Sequence, residues 1–497
     1  MVRTSLRADW AVGAGSGGSS AAYYLERFAS DENIRTNITV YERSLYVGGR
    51  STTVNVYDDP TQPVELGASI FVKANKNLFS AAQEFGLSMT AVGGTRAKES
   101  PVILGVWNGK EFVFRQDYGG NYWWNVGKLF WKYGLAPMRL QRAVKETVGK
   151  FLKMYETPHF PFRSLYQVVQ DLDLSATIAV KGETFLAEHS IDPPFSTEVI
   201  QASSRVNYAQ NLGLIHGLET MVCMSTDGAM AIEGGNWQIF DSMLKAAGAH
   251  VRLGGQVSEI HKSGNGTYSI VSAADDSTSV ASQDHTDSFD SVIVASPLQF
   301  SDIKFSPSLL NPPDKIPYVK LQVTIFASQH LLSPTAFKLP DGASVPQVIL
   351  TTLPPELDLG SREDGVGPAG FFSISTLGTV SNPSSNPPRT EFLYKVFSPE
   401  PLTSAFVSDI LGLPNSQGGL SSIAKEDISW LYERTWDSYP YLYPRVTFDE
   451  PQLDANLWYT SGIESFISTM ETSSLMGMNV ARLVVDDWTD AQREAQR

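Results

Sequence analysis

Gly13-Ala14-Gly15-Ser16-Gly17-Gly18, followed by a carboxylate at Glu42 and then by Gly48-Gly49-Arg50, has the residue types and spacing to cradle a dinucleotide. Gly13 allows a tight turn out of a strand, and Gly15 lets the backbone approach a pyrophosphate with no Cβ in the way. Gly18 lets the following helix pack closely, and a helix starting there aims its N-terminal amides at phosphates. Glu42 stands 24 residues past Gly18, at the end of the strand-like run Asn37-Ile38-Thr39-Val40-Tyr41, where a carboxylate accepts hydrogen bonds from a ribose. The added Gly-Gly-Arg favours FAD over NAD. Two elements must position these residues. Ala21-Ala22-Tyr23-Tyr24-Leu25 and Phe28 give an apolar helical face after the glycines. Upstream, only Trp10-Ala11-Val12 form an apolar run, with Arg7 and Asp9 before them, so a short or atypical first strand is expected.

Composition narrows the function classes. The 497 residues suffice for two large domains, or for one discontinuous domain with a large insertion. A net charge of −15 argues against nucleic acid as a partner, because a phosphate backbone would be repelled. Cys223 is the single cysteine, which rules out an intrachain disulfide and a cysteine-based metal site. The seven histidines show no HxxxH spacing, and no metal is expected. No run of about 18 apolar residues reads as a membrane span.

The dinucleotide half returns in pieces along the chain. Glu65-Leu66-Gly67-Ala68-Ser69-Ile70 follows the first block, then a long, aromatic, helix-rich stretch to about residue 224. Gly234-Gly235-Asn236 leads into another helix, Val257-Ser258-Glu259-Ile260 reads as a strand, and Ser291-Val292-Ile293-Val294-Ala295 is a buried strand stopped by Pro297. β-type segments fill 316–352 and 369–398, and a helix runs from Met470 to Val485.

This returning pattern resembles the two-domain flavin amine oxidase-like architecture. The fold it implies is α/β, with an interrupted FAD-binding Rossmann-type domain (8–75, 225–300 and 425–497) and a mixed sheet-and-helix substrate domain (76–224 and 301–424). Val206-Asn207-Tyr208-Ala209-Gln210, Gly234-Gly235-Asn236, Asp290 to Leu298, and Gly462-Ile463-Glu464 through Thr469-Met470-Glu471-Thr472-Ser473 narrow the likeness. Together they resemble the prenylcysteine oxidase (prenylcysteine lyase) family over nearly the whole chain. The resemblance implies an FAD-dependent oxidase that cleaves the thioether of a prenylated cysteine by hydride transfer to flavin. Prenyl aldehyde, cysteine and hydrogen peroxide are the products, with molecular oxygen as acceptor.

Carried over residue by residue, it implies that Gly13, Ala14, Gly15, Gly17 and Gly18 hold the pyrophosphate, with Gly49 and Arg50 against it. Glu42 would hold the adenosine ribose, with Arg43 beside it. Gly67, Ala68 and Ser69 would run along the isoalloxazine, Val257 would meet adenine through its main chain, and Ala295 completes the set. Glu464 and the Thr469-Met470 turn would approach the ribityl chain and the pyrimidine edge, where a positive helix end favours anionic reduced flavin. Such chemistry asks little of side chains beyond position and a dry pocket, and no catalytic residue is assigned.

On the substrate side, Arg205, Asn207, Tyr208 and Gln210 are expected nearest the flavin or the substrate's amino-acid end; the competing reading is a hydrogen-bonded hinge. Tyr122-Trp123-Trp124, Leu129-Phe130-Trp131, Tyr133, Leu135 and Met138 offer material for a prenyl tunnel, or for the helical domain's own core. Across 122–155 they are interleaved with Lys128, Lys132, Arg139, Arg142, Lys145, Lys150 and Lys153, a pattern that suits peripheral membrane contact as well as a solvated helix face. Two alternatives stay open. One is a family member that oxidises another lipophilic metabolite in a biosynthetic pathway. The other is a non-catalytic module that binds prenylated proteins, of the GDP-dissociation-inhibitor type. The resemblance implies a lysosomal or vacuolar setting, whereas the first dozen residues lack a signal-peptide h-region, so the compartment is left open.

Overall fold

Taken alone, Leu6–Val12 is a poor strand, with Arg7 and Asp9 breaking its apolar run. The computed structural model describes residues 6–91, 102–117, 131–272 and 285–495, and it places all 7 residues of this segment in a strand. The reason is its central position. One edge pairs in parallel from Leu6↔Arg35 to Val12↔Tyr41, and the other from Asp9↔Ser291 to Val12↔Val294. Backbone pairing on both edges outweighs the strand propensity of the side chains. The expected short first strand is therefore corrected.

This strand is the middle of a six-stranded sheet. Its order is Gln452–Asp454, Leu457–Tyr459, Ser291–Val294, Leu6–Val12, Arg35–Glu42 and His250–Leu253. All neighbours are parallel except the first pair. The helix Ser16–Asp31 leaves the glycine loop and packs along the C-terminal helix Met470–Ala495, so the two ends of the described chain share one core. Ala21, Ala22 and Leu25 meet Met476, Val480 and Val484 in that core. At Gly18, a Cβ would lie 1.9 Å from the carbonyl oxygen of Gly13, so no other residue fits without moving the helix.

A seven-stranded sheet forms the other large layer, in the order Trp430–Pro440, Tyr318–Ser328, Arg389–Ser398, Ser373–Asn382, Val348–Thr351, Val102–Trp107 and Phe112–Asp117. The last two strands fall inside the stretch expected to be helix-rich. Helix Gln201–Tyr208 packs on Val348–Thr351, and helix Gly217–Cys223 packs on helix Ala136–Phe151. A four-stranded sheet of His285–Phe289, Tyr268–Ser272, Val257–Lys262 and Lys304–Ser306 completes the dinucleotide side. From these pairings we place the chain's crossings between its two halves after residues 306 and 440, rather than at 300 and 425.

Gly18→Ala is expected to destabilise the protein by about 1–3 kcal/mol, the range for overpacking a tight contact. Thermal unfolding and the visible flavin absorbance of the purified variant should fall together. A variant with unchanged melting temperature and colour would show that the helix can retreat freely.

Candidate active site

A cavity of about 1010 Å³ runs between the six-stranded and seven-stranded sheets, from the glycine loop to the helix carrying Tyr208. Its first wall is the loop itself. The Gly13 amide donates to Tyr41 O at 2.8 Å, and Gly48 N donates to Ala14 O at 2.9 Å, which stitches the two glycine segments together. Gly15 and Gly49 face each other there, and a Cβ on Gly49 would come 3.2 Å from Gly15 Cα. Gly13, Gly15, Gly17 and Gly49 all line the cavity, whereas Ala14 and Gly18 are buried behind it.

Glu42 is buried beside the glycine loop at one end of the cavity, and both its oxygens serve the backbone. Oε2 accepts from Ala14 N and Oε1 from Ser44 N, each at 2.8 Å. The carboxylate thus shapes the loop as well as facing the cavity, where each oxygen retains lone-pair capacity. Arg43 lines the same end and donates from Nη1 to Phe300 O at 3.0 Å. Val257 and Ala295 also line the cavity. The Ala295 amide is already committed to Val12 O at 2.9 Å.

Arg50 and Glu464, read separately from the sequence, are joined in the structure. Arg50 Nη2 meets Glu464 Oε1 at 2.6 Å, and Nη1 donates to Ser438 O at 2.6 Å. Burial opposes the Arg50 charge, but the Glu464 carboxylate more than offsets it and the guanidinium pKa is raised. Two of the guanidinium's donor groups are therefore spent on protein, and its remaining donors are those left to face a pyrophosphate.

At this same cradle end, two helices start at the cavity wall. Ser16, first residue of one, donates from Oγ to the carbonyl of Met470, first residue of the other, at 2.5 Å. Thr469 Oγ1 accepts from Thr472 N at 3.0 Å and caps the second helix. Two positive helix ends thus converge on one cavity, a setting that favours bound negative charge. Gly67, Ala68 and Ser69 also line the cavity.

Two charged groups on this wall, Lys395 and Glu65, were missed by sequence reasoning. Lys395 Nζ donates to Glu65 O at 2.8 Å and to Ser69 Oγ at 3.1 Å, and Asn236 N donates to Glu65 Oε1 at 2.6 Å. Burial pushes the Glu65 carboxyl up to about 7 against the pull of the Asn236 amide and of Lys395. The available signal was a lysine inside the apolar strand Phe392-Leu393-Tyr394-Lys395-Val396.

The four residues expected at the substrate end divide. Asn207 and Tyr208 line the cavity. Arg205 and Gln210 do not, and that part of the expectation is corrected. Arg205 is fully buried and donates to Thr351 Oγ1, Asn211 Oδ1, Gly365 O and Val366 O. Gln210 donates to Pro440 O at 3.1 Å and accepts from Leu442 N at 2.9 Å. Both side chains brace the helix against the sheet side, which is the hinge-like role. Burial lowers the Arg205 pKa to about 9.

The expected tunnel aromatics also separate. Tyr122, Trp123, Trp124, Lys128, Leu129 and Phe130 lie outside the described residues. Tyr133 is buried in the helical core and donates to Glu198 Oε2 at 2.7 Å. Trp131, Leu135 and Met138 are 92%, 48% and 65% exposed, so they line no tunnel and fill no core. The apolar wall is built instead by Leu321, Val323, Leu377 and Phe397 of the sheet and by Phe151 and Leu152 of the helical side. Among the described residues, no group of three or more His, Cys, Asp or Glu is placed to hold a metal ion.

The glycine cradle, the converging helix ends and the adjoining apolar wall fit FAD, and they define a flavin-dependent oxidoreductase of two-domain architecture. Comparison with known proteins makes this specific. The prenylcysteine lyase family model matches residues 117–497, and an NAD(P)-binding Rossmann-like domain matches 12–85. The chain belongs to the prenylcysteine lyase family. It is 28% identical over 491 residues to farnesylcysteine lyase of Arabidopsis thaliana, covering 95% of this chain and 87% of that protein. It is also 28% identical over 504 residues to prenylcysteine oxidase 1 of Rattus norvegicus, with coverage of 96% and 88%. Among solved structures it resembles cyclohexylamine oxidase from Brevibacterium oxydans, with a TM-score of 0.57 at 15% identity. Putrescine oxidase bound to putrescine gives 0.54 at 14%; in both cases 97% of this chain and 99% of the other are covered. These two likenesses establish the fold.

Glu464→Ala removes the partner of Arg50 and is expected to cost about 1.5–3 kcal/mol, the range for a hydrogen bond to a charged group. The purified variant should carry less FAD per chain, measured by the ratio of visible to ultraviolet absorbance. Full FAD content with wild-type stability would show that the pair does not hold the cradle.

Proposed function

We propose that this chain cleaves the thioether of a prenylated cysteine and releases a prenyl aldehyde, cysteine and hydrogen peroxide, with molecular oxygen as the final acceptor. The observation that carries this reading is the continuity of one cavity from a dinucleotide cradle to an apolar wall. Its substrate class is the one named in the farnesylcysteine lyase and prenylcysteine oxidase relatives. Bound FAD supplies the hydride acceptor and, through oxygen, the route to peroxide. The chain's own residues hold and orient. Leu321, Val323, Leu377 and Phe397 give a prenyl chain an apolar bed and keep bulk water from the reacting carbon. The helix starting at Met470 presents its positive end where negative charge accumulates. Tyr208 and Asn207 offer polar groups to the heteroatom end of the substrate.

Anaerobic mixing with farnesylcysteine or geranylgeranylcysteine should bleach the visible flavin band, and lipophilic thioethers and amines without a prenyl group should bleach it far more slowly. Bleaching by another compound class but by no prenyl thioether would overturn the substrate assignment while leaving the cofactor in place.

We also propose peripheral contact with an anionic bilayer through the start of the helix Ala136–Phe151. Exposed Trp131, Leu135 and Met138 stand beside exposed Arg139, Arg142 and Lys145, a cationic patch in a chain of net charge −15. The inner side of the same helix lends Val148 and Phe151 to the cavity wall, which sets this surface beside the lipophilic site. No helix among the described residues is long and apolar enough to cross a membrane. Binding to vesicles containing anionic lipid should exceed binding to neutral ones and should fall several-fold for Leu135→Ser/Met138→Ser. Equal binding to both vesicle types, or wild-type binding by the variant, would overturn this contact.

A further inference from the structure

Behind Tyr208 lies a carboxyl group that the cradle and the apolar wall do not use. Glu219 sits on the short helix Gly217–Cys223, fully buried, and its oxygens have only loose contacts with the Tyr208 hydroxyl and the Ser468 amide, neither of which closes to a full hydrogen bond. Its neighbours identify where it lies. The Tyr208 hydroxyl and the Ser468 backbone amide are the polar groups that face it, and Cys223 and Tyr439 are close enough to feel its charge. Tyr208, Ser468, Cys223 and Tyr439 all line the cavity, whereas Glu219 does not. The carboxyl therefore stands one layer behind the cavity wall, with the Tyr208 phenol as its link to the substrate end.

The local fold keeps it there. His216 caps the helix by accepting the Glu219 amide at Nδ1, 3.1 Å away, which leaves the proton on Nε2. Burial pulls the His216 pKa down to about 3, so this neighbour is neutral and supplies no counter-charge. Tyr208 is held edge-on to Tyr439, with ring centroids 5.0 Å apart. A buried carboxyl with unmatched oxygens is costly, and its retention beside a reactive cavity calls for a role.

We propose that Glu219 is a positioning residue that acts through Tyr208 to take up the proton released when water attacks the oxidised substrate. This inference rests on the thioether-cleaving reading given above. Once the hydride has left the carbon bonded to sulfur, a water oxygen forms a C–O bond to that carbon and one water O–H bond breaks. The Tyr208 hydroxyl accepts that proton and donates its own to the Glu219 carboxylate, so the phenol ends unchanged and the carboxylate becomes a carboxyl. The C–S bond then breaks as the new hydroxyl's proton moves to sulfur, giving aldehyde and thiol. The proton held on Glu219 balances the one consumed when oxygen is reduced to hydrogen peroxide.

The electrostatics suit this task. Burial pushes the Glu219 carboxyl up to about 8, against the downward pull of the Tyr208 hydroxyl and the Ser468 amide. A base of that strength is well matched to proton uptake near neutral pH. The Tyr208 hydroxyl and the Cys223 thiol are themselves raised by burial, so neither ionises ahead of Glu219.

The test uses FAD-loaded wild type, Glu219→Gln and Tyr208→Phe. Anaerobic stopped-flow bleaching by farnesylcysteine reads hydride departure, and quenched samples read aldehyde release. Glu219→Gln should bleach within about threefold of wild type, and both variants should release aldehyde on the order of 100-fold more slowly than they bleach. Wild-type release should rise with pH through about 8, and the variants should lose that limb. Thermal unfolding gives a readout apart from activity. Because the folded-state pKa is raised, stability from neutral Glu219 is present at low pH and lost as pH rises through about 8. Glu219→Gln should therefore lose less melting temperature than wild type between pH 6 and pH 9. A Glu219→Gln enzyme with the wild-type release rate and pH limb would overturn the proposal, as would wild-type release by Tyr208→Phe should the first variant fail to fold. Absence of bleaching in wild type would instead overturn the substrate reading on which the proposal rests.

Discussion

The Arg50–Glu464 ion pair is the contact on which the cavity's shape depends. Arg50 closes the N-terminal glycine segments, Glu464 belongs to the last segment before the C-terminal helix, and the same guanidinium reaches Ser438 O on the edge strand of the other sheet. One side chain therefore ties three parts of the chain at the point where the two sheets approach. With Glu464 buried and Arg50 partly exposed, such a pair is stable only when its geometry is close and the carboxylate's remaining valences are met. Tyr318 supplies one of these, donating to Glu464 Oε2 at 3.3 Å. The Ser16 Oγ to Met470 O hydrogen bond holds the two helix starts in register beside it.

Around that fastening the cavity separates charge handling from apolar packing. The cradle end is built from backbone amides and helix starts, which stabilise anions without mobile charges. The far end is an apolar wall with Glu65 and Lys395 set into it and with Glu219 behind Tyr208. In a low-dielectric setting the Glu65 and Glu219 carboxyls hold protons at unusual pH values, which is a means of running proton chemistry beside a dry pocket.

The dinucleotide half was legible because its constraints are local. A turn that needs glycine, a helix that needs Gly18 and a carboxylate at a strand end all leave marks within about fifty residues of sequence. Lys395 and Glu219 were not legible. Each is one ionisable residue in an apolar stretch, and its meaning depends on which wall the chain happens to bring past it. Arg205 and Gln210 show the opposite error. Their polarity suggested a site, but both are consumed by hydroxyl, carbonyl and amide partners far along the chain.

By itself, then, the sequence determined that the chain cradles FAD, that it has the segments of the prenylcysteine lyase family, and that a strand, a glycine turn and a helix open it. Tertiary structure alone decided that Leu6–Val12 is a full central strand, because backbone pairing on two edges overrides the polar side-chain types. It also decided that Arg50 spends two donor groups on Glu464 and Ser438 before any phosphate, and that Tyr208 but not Arg205 reaches the cavity. The physical reason is the same in each case. Hydrogen-bond partners and burial are set by segments hundreds of residues apart, and no local pattern records which of them will meet.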